Sequence, residues 1–222
     1  MDRFDRIYQS KRTLDEQLTQ YSEQLKIDLP AVFEAYEKMV DRLEKAEAGQ
    51  GAPKIGEKLP DFLLPNHQGR LISSKDLLNQ GPLVVSFNRG YWCSYCRFEL
   101  LALAEIHTEI KRKGGEIVSI MPERAASLRQ TIEKNDLTFP ILSDIDNGYA
   151  LECGLMVSLG QDIKNLFSEI GTDLEKVQGN DGWFVPIPAN FIVDKDGTII
   201  KRHVDADFKH RMASLKILKF FS

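Results

Sequence analysis

A chain of 222 residues with 42% apolar side chains is long enough to bury a sizeable core, and it fits one globular domain with an appendage better than two domains. Its 29 Lys and Arg against 33 Asp and Glu leave a net charge of −4, with no basic cluster able to track a phosphate backbone or an anionic membrane, so neither nucleic acid nor membrane is an expected partner. The opening MDRFDRIYQS has no apolar stretch of a leader and no run approaches the roughly 18 apolar residues of a spanning helix, which predicts a cytoplasmic protein.

Residues 1–48 read as a helical N-terminal extension. Leu14, Leu18, Tyr21 and Leu25 recur at helical steps, and a second helix restarts at Pro30 with Phe33, Tyr36, Val40 and Leu43. The run Gly49-Gln50-Gly51-Ala52-Pro53 then stops the helix and marks a boundary. From about residue 55 to 222 short apolar runs alternate with helical segments. A hairpin is expected around Asn66-His67-Gln68-Gly69, a capping box at Ser73 and Asp76, and a strand buried on both faces over Leu83 to Phe87. Phe98 to Lys113 reads as a helix stopped by Gly114-Gly115, Glu116 to Ile120 as a strand, Arg124 to Asn135 as a helix and Phe139 to Leu142 as a strand. Two strands, Asn190 to Val193 and Thr198 to Val204, flank the turn Asp194-Lys195-Asp196-Gly197, and Phe208 to Phe221 is the expected last helix. This alternation predicts an α/β fold with a central mixed sheet covered on both faces. Residues 155–185 exceed what a connection needs. Leu159, Ile163, Leu166 and Ile170 recur at helical steps, so this insertion is expected to carry a helix and roof the site, with Trp183 either closing on substrate or packed in the core.

The three cysteines, Cys93, Cys96 and Cys153, are too few for a disulfide framework. Trp92-Cys93-Ser94-Tyr95-Cys96 falls where a buried strand gives way to a helix, so both sulfurs lie in or beside the first turn, where unpaired N–H groups and the helix dipole favour thiolate over thiol. Their spacing places the two side chains on one face, close enough to form a disulfide. Redox chemistry, half a zinc site and two inert core cysteines are the three readings of such a pair. No second Cys/His pair stands at metal-ligand spacing, so no metal and no cofactor is expected. His107, on the stripe Cys96, Leu100, Leu103, His107 and Ile110, reads as a packing histidine; His67, His203 and His210 read as surface residues; Cys153 reads as buried.

GEKLPDF (56–62), VVSFNRGYWCSYCRFEL (84–100), TFPILSD (138–144) and ANFIVDKDG (189–197) resemble the peroxiredoxin-like branch of the alkyl hydroperoxide reductase and thiol-specific antioxidant family over about residues 55–205. The resemblance implies a thioredoxin-like three-layer fold and a peroxidatic cysteine at a helix N-terminus, here Cys96. It further implies a hydroperoxide substrate, a thiol that resolves the sulfenic acid, here Cys93, and recycling by thioredoxin or a similar dithiol. Three positions depart from the family pattern. Its Pro-x-x-x-Thr-x-x-Cys loop has Arg89 at the proline position and Cys93 at the threonine position, and Pro188 stands where a second active-site arginine is usual. Trp92-Cys-x-x-Cys and Pro188 resemble thioredoxin instead, with its cis-proline and its first cysteine, hence Cys93, as nucleophile. Arg89 and first-turn N–H groups suit peroxide reduction; Trp92, Ile187 and Pro188 suit docking of a protein disulfide. Both activities stay open, beside a non-catalytic binding module on the same fold, and a homodimer is the default expectation from symmetry.

Overall fold

The computed structural model of the chain describes residues 2–221. Three helices come first, α1 (Arg3–Tyr8), α2 (Leu14–Asp28) and α3 (Pro30–Lys45). Thr13 and Glu16 close a capping box on α2, and Pro30 opens α3 where a missing N–H costs nothing. The periodicity finds α2 and α3 but not α1, whose six residues are too few to show a period.

A hairpin of β1 (Leu63–Pro65) and β2 (Leu71–Ser73) leads into α4 (Ser74–Leu78). The expected Ser73 capping box does not form, because the Asp76 carboxylate is one methylene short of the Glu or Gln that closes such a box. The neighbouring Ser74 hydroxyl instead accepts the Phe62 N–H at 3.1 Å. There follow β3 (Leu83–Phe87), α5 (Ser94–Arg112), β4 (Glu116–Met121), α6 (Ala125–Asn135), β5 (Ile141–Ser143) and α7 (Gly148–Glu152). Then come β6 (Met156–Ser158), α8 (Gln161–Glu169), α9 (Leu174–Gln178), β7 (Phe184–Pro186), β8 (Ala189–Val193), β9 (Ile199–Val204) and α10 (Ser214–Leu218).

The main sheet has the order β5-β4-β3-β8-β9, with β5, β4 and β3 parallel and β8 and β9 antiparallel to their neighbours. Side chains alternate across it. Val84, Ile117 and Ile192, in register with one another, face the core layer that holds α5, α10 and residues of α1 to α3. Val85, Val118 and Phe191 face the other layer, with Phe62, Leu77 and Tyr149. This is the three-layer α/β arrangement anticipated from the alternation of strand and helix.

Two segments differ from expectation in ways that matter for the site. The last helix spans only Ser214–Leu218, because the carboxylates of Asp205 and Asp207 take the N–H groups of Asp207 and Lys209 at 2.9 and 3.0 Å and hold residues 205–210 in turns. The insertion closes on itself through the β6–β7 pairing; Ile163 and Phe167 of α8 are buried, whereas Ile170 lies past the helix end and is exposed. No helix among the described residues is long and apolar enough to cross a membrane.

Candidate active site

The six residues between β3 and α5 carry Arg89, Trp92 and Cys93 of the sequence-predicted site, the first turn of α5 carries Cys96, and Pro188 lies between β7 and β8. Cys93 is the N-cap of α5 with an extended backbone, and Cys96 sits in the first turn; both are free thiols, 4% and 0% exposed. The Arg89 N–H and the Arg211 Nη2 both donate to Cys96 Sγ at 3.3 Å. Arg211 arrives from the turn segment that replaces the expected helix and is fixed there by three contacts. Its Nε donates to Phe208 O at 2.9 Å, its Nη1 reaches Asn88 Oδ1 at 3.5 Å, and Nη1 pairs with the fully buried Glu99 carboxylate. Glu99 also accepts from Asn190 Nδ2 at 2.5 Å, and Asn88 Nδ2 donates to the hydroxyls of Ser86 and Ser119. A guanidinium is thus present although Pro188 occupies the position where the resemblance placed one.

The pair holds one negative charge between two sulfurs, so it titrates as a unit. Burial works to raise Cys93, but the hydrogen bond from the Cys96 thiol and the charges of Arg89 and Arg211 outweigh it and hold Cys93 well below an ordinary thiol. Burial, the hydrogen bond that Cys96 gives and the neighbouring Cys93 charge push Cys96 up. The Cys96 N–H also favours charge on Cys93, whereas the Arg89 N–H and the Arg211 Nη2 end on Cys96 Sγ. The resting charge therefore sits on Cys93, and a charge moved to Cys96 meets two donors already aimed at it.

Arg89 is 1% exposed, and none of its three guanidinium nitrogens has a hydrogen-bond partner. It is held by rings, 4.0 Å from the centroid of Phe208, 4.9 Å from Trp92 and 5.8 Å from Tyr36. A narrow apolar cavity beside it is lined by Met39, Leu43, Ile187, Pro188 and Phe208. Ile187 and Pro188 are buried, so they form the floor of the site and not the exposed docking surface expected of them; Trp92 is partly exposed. No cis peptide bond occurs among the described residues, so the expected cis-proline is a trans Pro188, in the extended run that joins β7 to β8.

The N-terminal helices cover this end of α5. Tyr95, next to Cys96, bonds Ser22 Oγ at 2.9 Å and meets Tyr21 and Phe208 edge-on, while Tyr36 of α3 also packs on Phe208. From the other side Phe167 of α8 packs edge-on against Trp92 at 5.3 Å, so the insertion does reach the site. Trp183 is buried, lies 6.1 Å from Phe167 ring to ring and donates to Glu175 Oε1 at 3.1 Å. His107 is satisfied by Thr138 and Glu116 at 2.7 Å each, and burial pushes the Cys153 thiol up to about 12.

Gly90 is required where it stands. Its φ is +124°, and a Cβ there would lie 2.6 Å from Glu123 Oε1 and 2.7 Å from Trp92 Nε1. Gly90→Ala is expected to cost roughly 2–4 kcal/mol through strain and overpacking, measured by urea denaturation against wild type.

Sequence reading missed Glu99, Asn190, Arg211, Phe208 and Glu123. A carboxylate at Glu99 inside the apolar run Phe98 to Leu103, and an amide at Asn190 inside a buried strand, are local signals of a buried polar network. Arg211 has none, because its partner lies 112 residues away.

The sequence profile of the AhpC/TSA family matches residues 55–202. The thiol-disulfide oxidoreductase ResA of Bacillus cereus is 25% identical over 160 residues, covering 72% of this chain and 75% of that protein. Peroxiredoxin Bcp of Escherichia coli is 25% identical over 156 residues, covering 70% and 87%. Among solved structures, peroxidoxin BcpB from Mycobacterium tuberculosis superposes with a TM-score of 0.59 at 20% identity, covering 76% of this chain and 96% of that one, which matches the thioredoxin-like fold. With the profile spanning two thirds of its length, this chain belongs to the AhpC/TSA family, a family of thiol oxidoreductases.

Proposed function

We propose that the protein is a thiol-dependent peroxidase in which Cys96 attacks a hydroperoxide, Cys93 resolves the product, and a thioredoxin-type dithiol recycles the pair. The observation that carries this reading is the convergence of two N–H donors on Cys96 Sγ, with the buried guanidinium of Arg89 in the same loop. Peroxide reduction needs a thiolate and donors at the breaking O–O bond, and those donors cluster about Cys96. Moving the proton from Cys96 to Cys93 forms the Cys96 thiolate. Its sulfur bonds the terminal oxygen of ROOH, the O–O bond breaks, and the departing alkoxide takes the proton from Cys93. The Cys93 thiolate then attacks the sulfenic sulfur, hydroxide leaves and is protonated to water, and a disulfide remains. An external dithiol returns two electrons and two protons to it, becoming a disulfide itself.

A second reading has its own support. Cys93 carries the lowered pKa and the greater exposure, which suits a thiol-disulfide oxidoreductase acting through the first cysteine, the activity in the name of the ResA relative. In either case the reduced protein is expected to keep the 240 nm absorbance of one thiolate at pH 7, where a cysteine of pKa near 8.5 is almost wholly protonated. Cys93→Ser should remove most of that absorbance. A titration showing no thiolate below pH 8 would leave the non-catalytic module as the better account.

A further inference from the structure

We propose that Glu123 is a titrating positioning residue for the active-site loop: by gaining or losing a proton, its carboxyl group resets how Gly90, Tyr91 and Trp92 hold Cys93. The inference deepens the reading above, since it concerns the presentation of the same cysteine. Glu123 lies two residues beyond β4, is 1% exposed, and turns back onto the loop that precedes α5. Its Oε1 accepts the Tyr91 N–H at 2.8 Å. Gly90 brings the backbone so close that a single point, the place of its missing Cβ, is 2.6 Å from Glu123 Oε1 and 2.7 Å from Trp92 Nε1. Glu123 Oε2 and the Trp92 indole N–H are both buried, and neither has a hydrogen-bond partner. A carboxyl group and an indole donor thus face each other across one glycine, and the Cys93 N–H closes the same turn on Gly90 O at 3.2 Å.

Among the described residues no cation pairs with this carboxylate. The Arg89 guanidinium stacks on Phe208 and Trp92, the Arg124 side chain lies along Gly179, and the Asp144 carboxylate is taken by the N–H groups of Tyr149 and Ala150. The Tyr91 hydroxyl is bonded to Asn135. Burial therefore pushes Glu123 up to about 7, opposed only by the Tyr91 N–H. When the group ionises, the donors within reach are neutral N–H groups, and the unpartnered one belongs to Trp92. The ionised form draws the indole toward Oε2. Because Trp92 precedes Cys93 and carries Arg89 on its ring, the loop and the cysteine shift with it. Protonation releases the indole.

The test is the fluorescence of Trp92 in a reduced Trp183→Phe protein, where it is the one remaining tryptophan, titrated from pH 5.5 to 8.5. A single step with a midpoint near pH 7 is expected, lost in Glu123→Gln and retained when Cys93→Ser is added to exclude quenching by the thiolate. A flat titration of the Trp183→Phe protein overturns the proposal without any need for the Glu123 variant to fold. So does a step that survives in folded Glu123→Gln or disappears with Cys93→Ser. Peroxide consumption is measured separately, so a protein that ignores peroxide yet shows the Glu123-dependent step would sink the peroxidase reading and leave this one standing.

Discussion

Cys96→Ser is expected to lower peroxide consumption by at least about 10³-fold, because a hydroxyl cannot replace the thiolate as nucleophile and the Cys93 sulfur lies outside the two donor contacts that end at position 96. Cys93→Ser should behave differently. It retains Cys96 with both its N–H donors but loses the thiolate that takes the Cys96 proton, so it should complete a single slowed turnover and stop at a sulfenic acid that dimedone traps on Cys96. The difference between the variants is what distinguishes the two chemistries. If Cys93 were the nucleophile of a disulfide exchange, Cys93→Ser would lose all disulfide reduction and Cys96→Ser would accumulate a mixed disulfide on Cys93. Mass spectrometry of both variants after one equivalent of peroxide, or of a small disulfide, separates these outcomes.

Arg211→Met is expected to have the second largest effect, on two quantities at once. The side chain is buried between Cys96 and Glu99, and removing its charge leaves the Glu99 carboxylate buried with only Asn190 to meet it. Breaking a buried ion pair by deleting one partner costs about 3–5 kcal/mol, read as a lowered urea midpoint. The same change removes a donor from Cys96 Sγ, which by analogy with oxyanion donors is worth about 10²–10³ in rate. The double variant Arg211→Met with Glu99→Gln separates the two effects. It should recover much of the stability, because no unpaired charge remains, while peroxide consumption stays low. Recovery of both would mean that Arg211 acts only through the packing of the network.

Most of the scaffold was legible because its elements obey local rules. Leu83 to Phe87 is an unbroken apolar run because both its faces are covered, and α5 follows because Cys93 and Ser94 begin a stretch with few breakers before Gly114 and Gly115. The cysteine pair was legible for the same reason: a strand-to-helix junction is a local feature, and its exposed N–H groups follow from helix geometry. The rest of the site is a matter of long-range packing. Phe208 to Met212 carries the apolar spacing of a helix, yet the carboxylates of Asp205 and Asp207 win the competition for N–H groups and turn the chain so that Arg211 enters the core. Pro188 looked like a thioredoxin-type proline from its neighbours in sequence, whereas its backbone continues the extended run into β8. The cover formed by Tyr21, Ser22 and Tyr36 over Tyr95 and Phe208 joins segments more than 70 residues apart, which no window of sequence contains.

Whether the Cys93–Cys96 pair reduces a hydroperoxide is decided by mixing prereduced protein with a stoichiometric amount of hydrogen peroxide in stopped flow. The expected result is that one mole of peroxide is consumed per mole of protein within seconds, with a single intramolecular disulfide between Cys93 and Cys96 as the product and Cys153 left as a thiol. Peroxide that survives for minutes, in a protein whose pair readily reduces a protein disulfide, would contradict it.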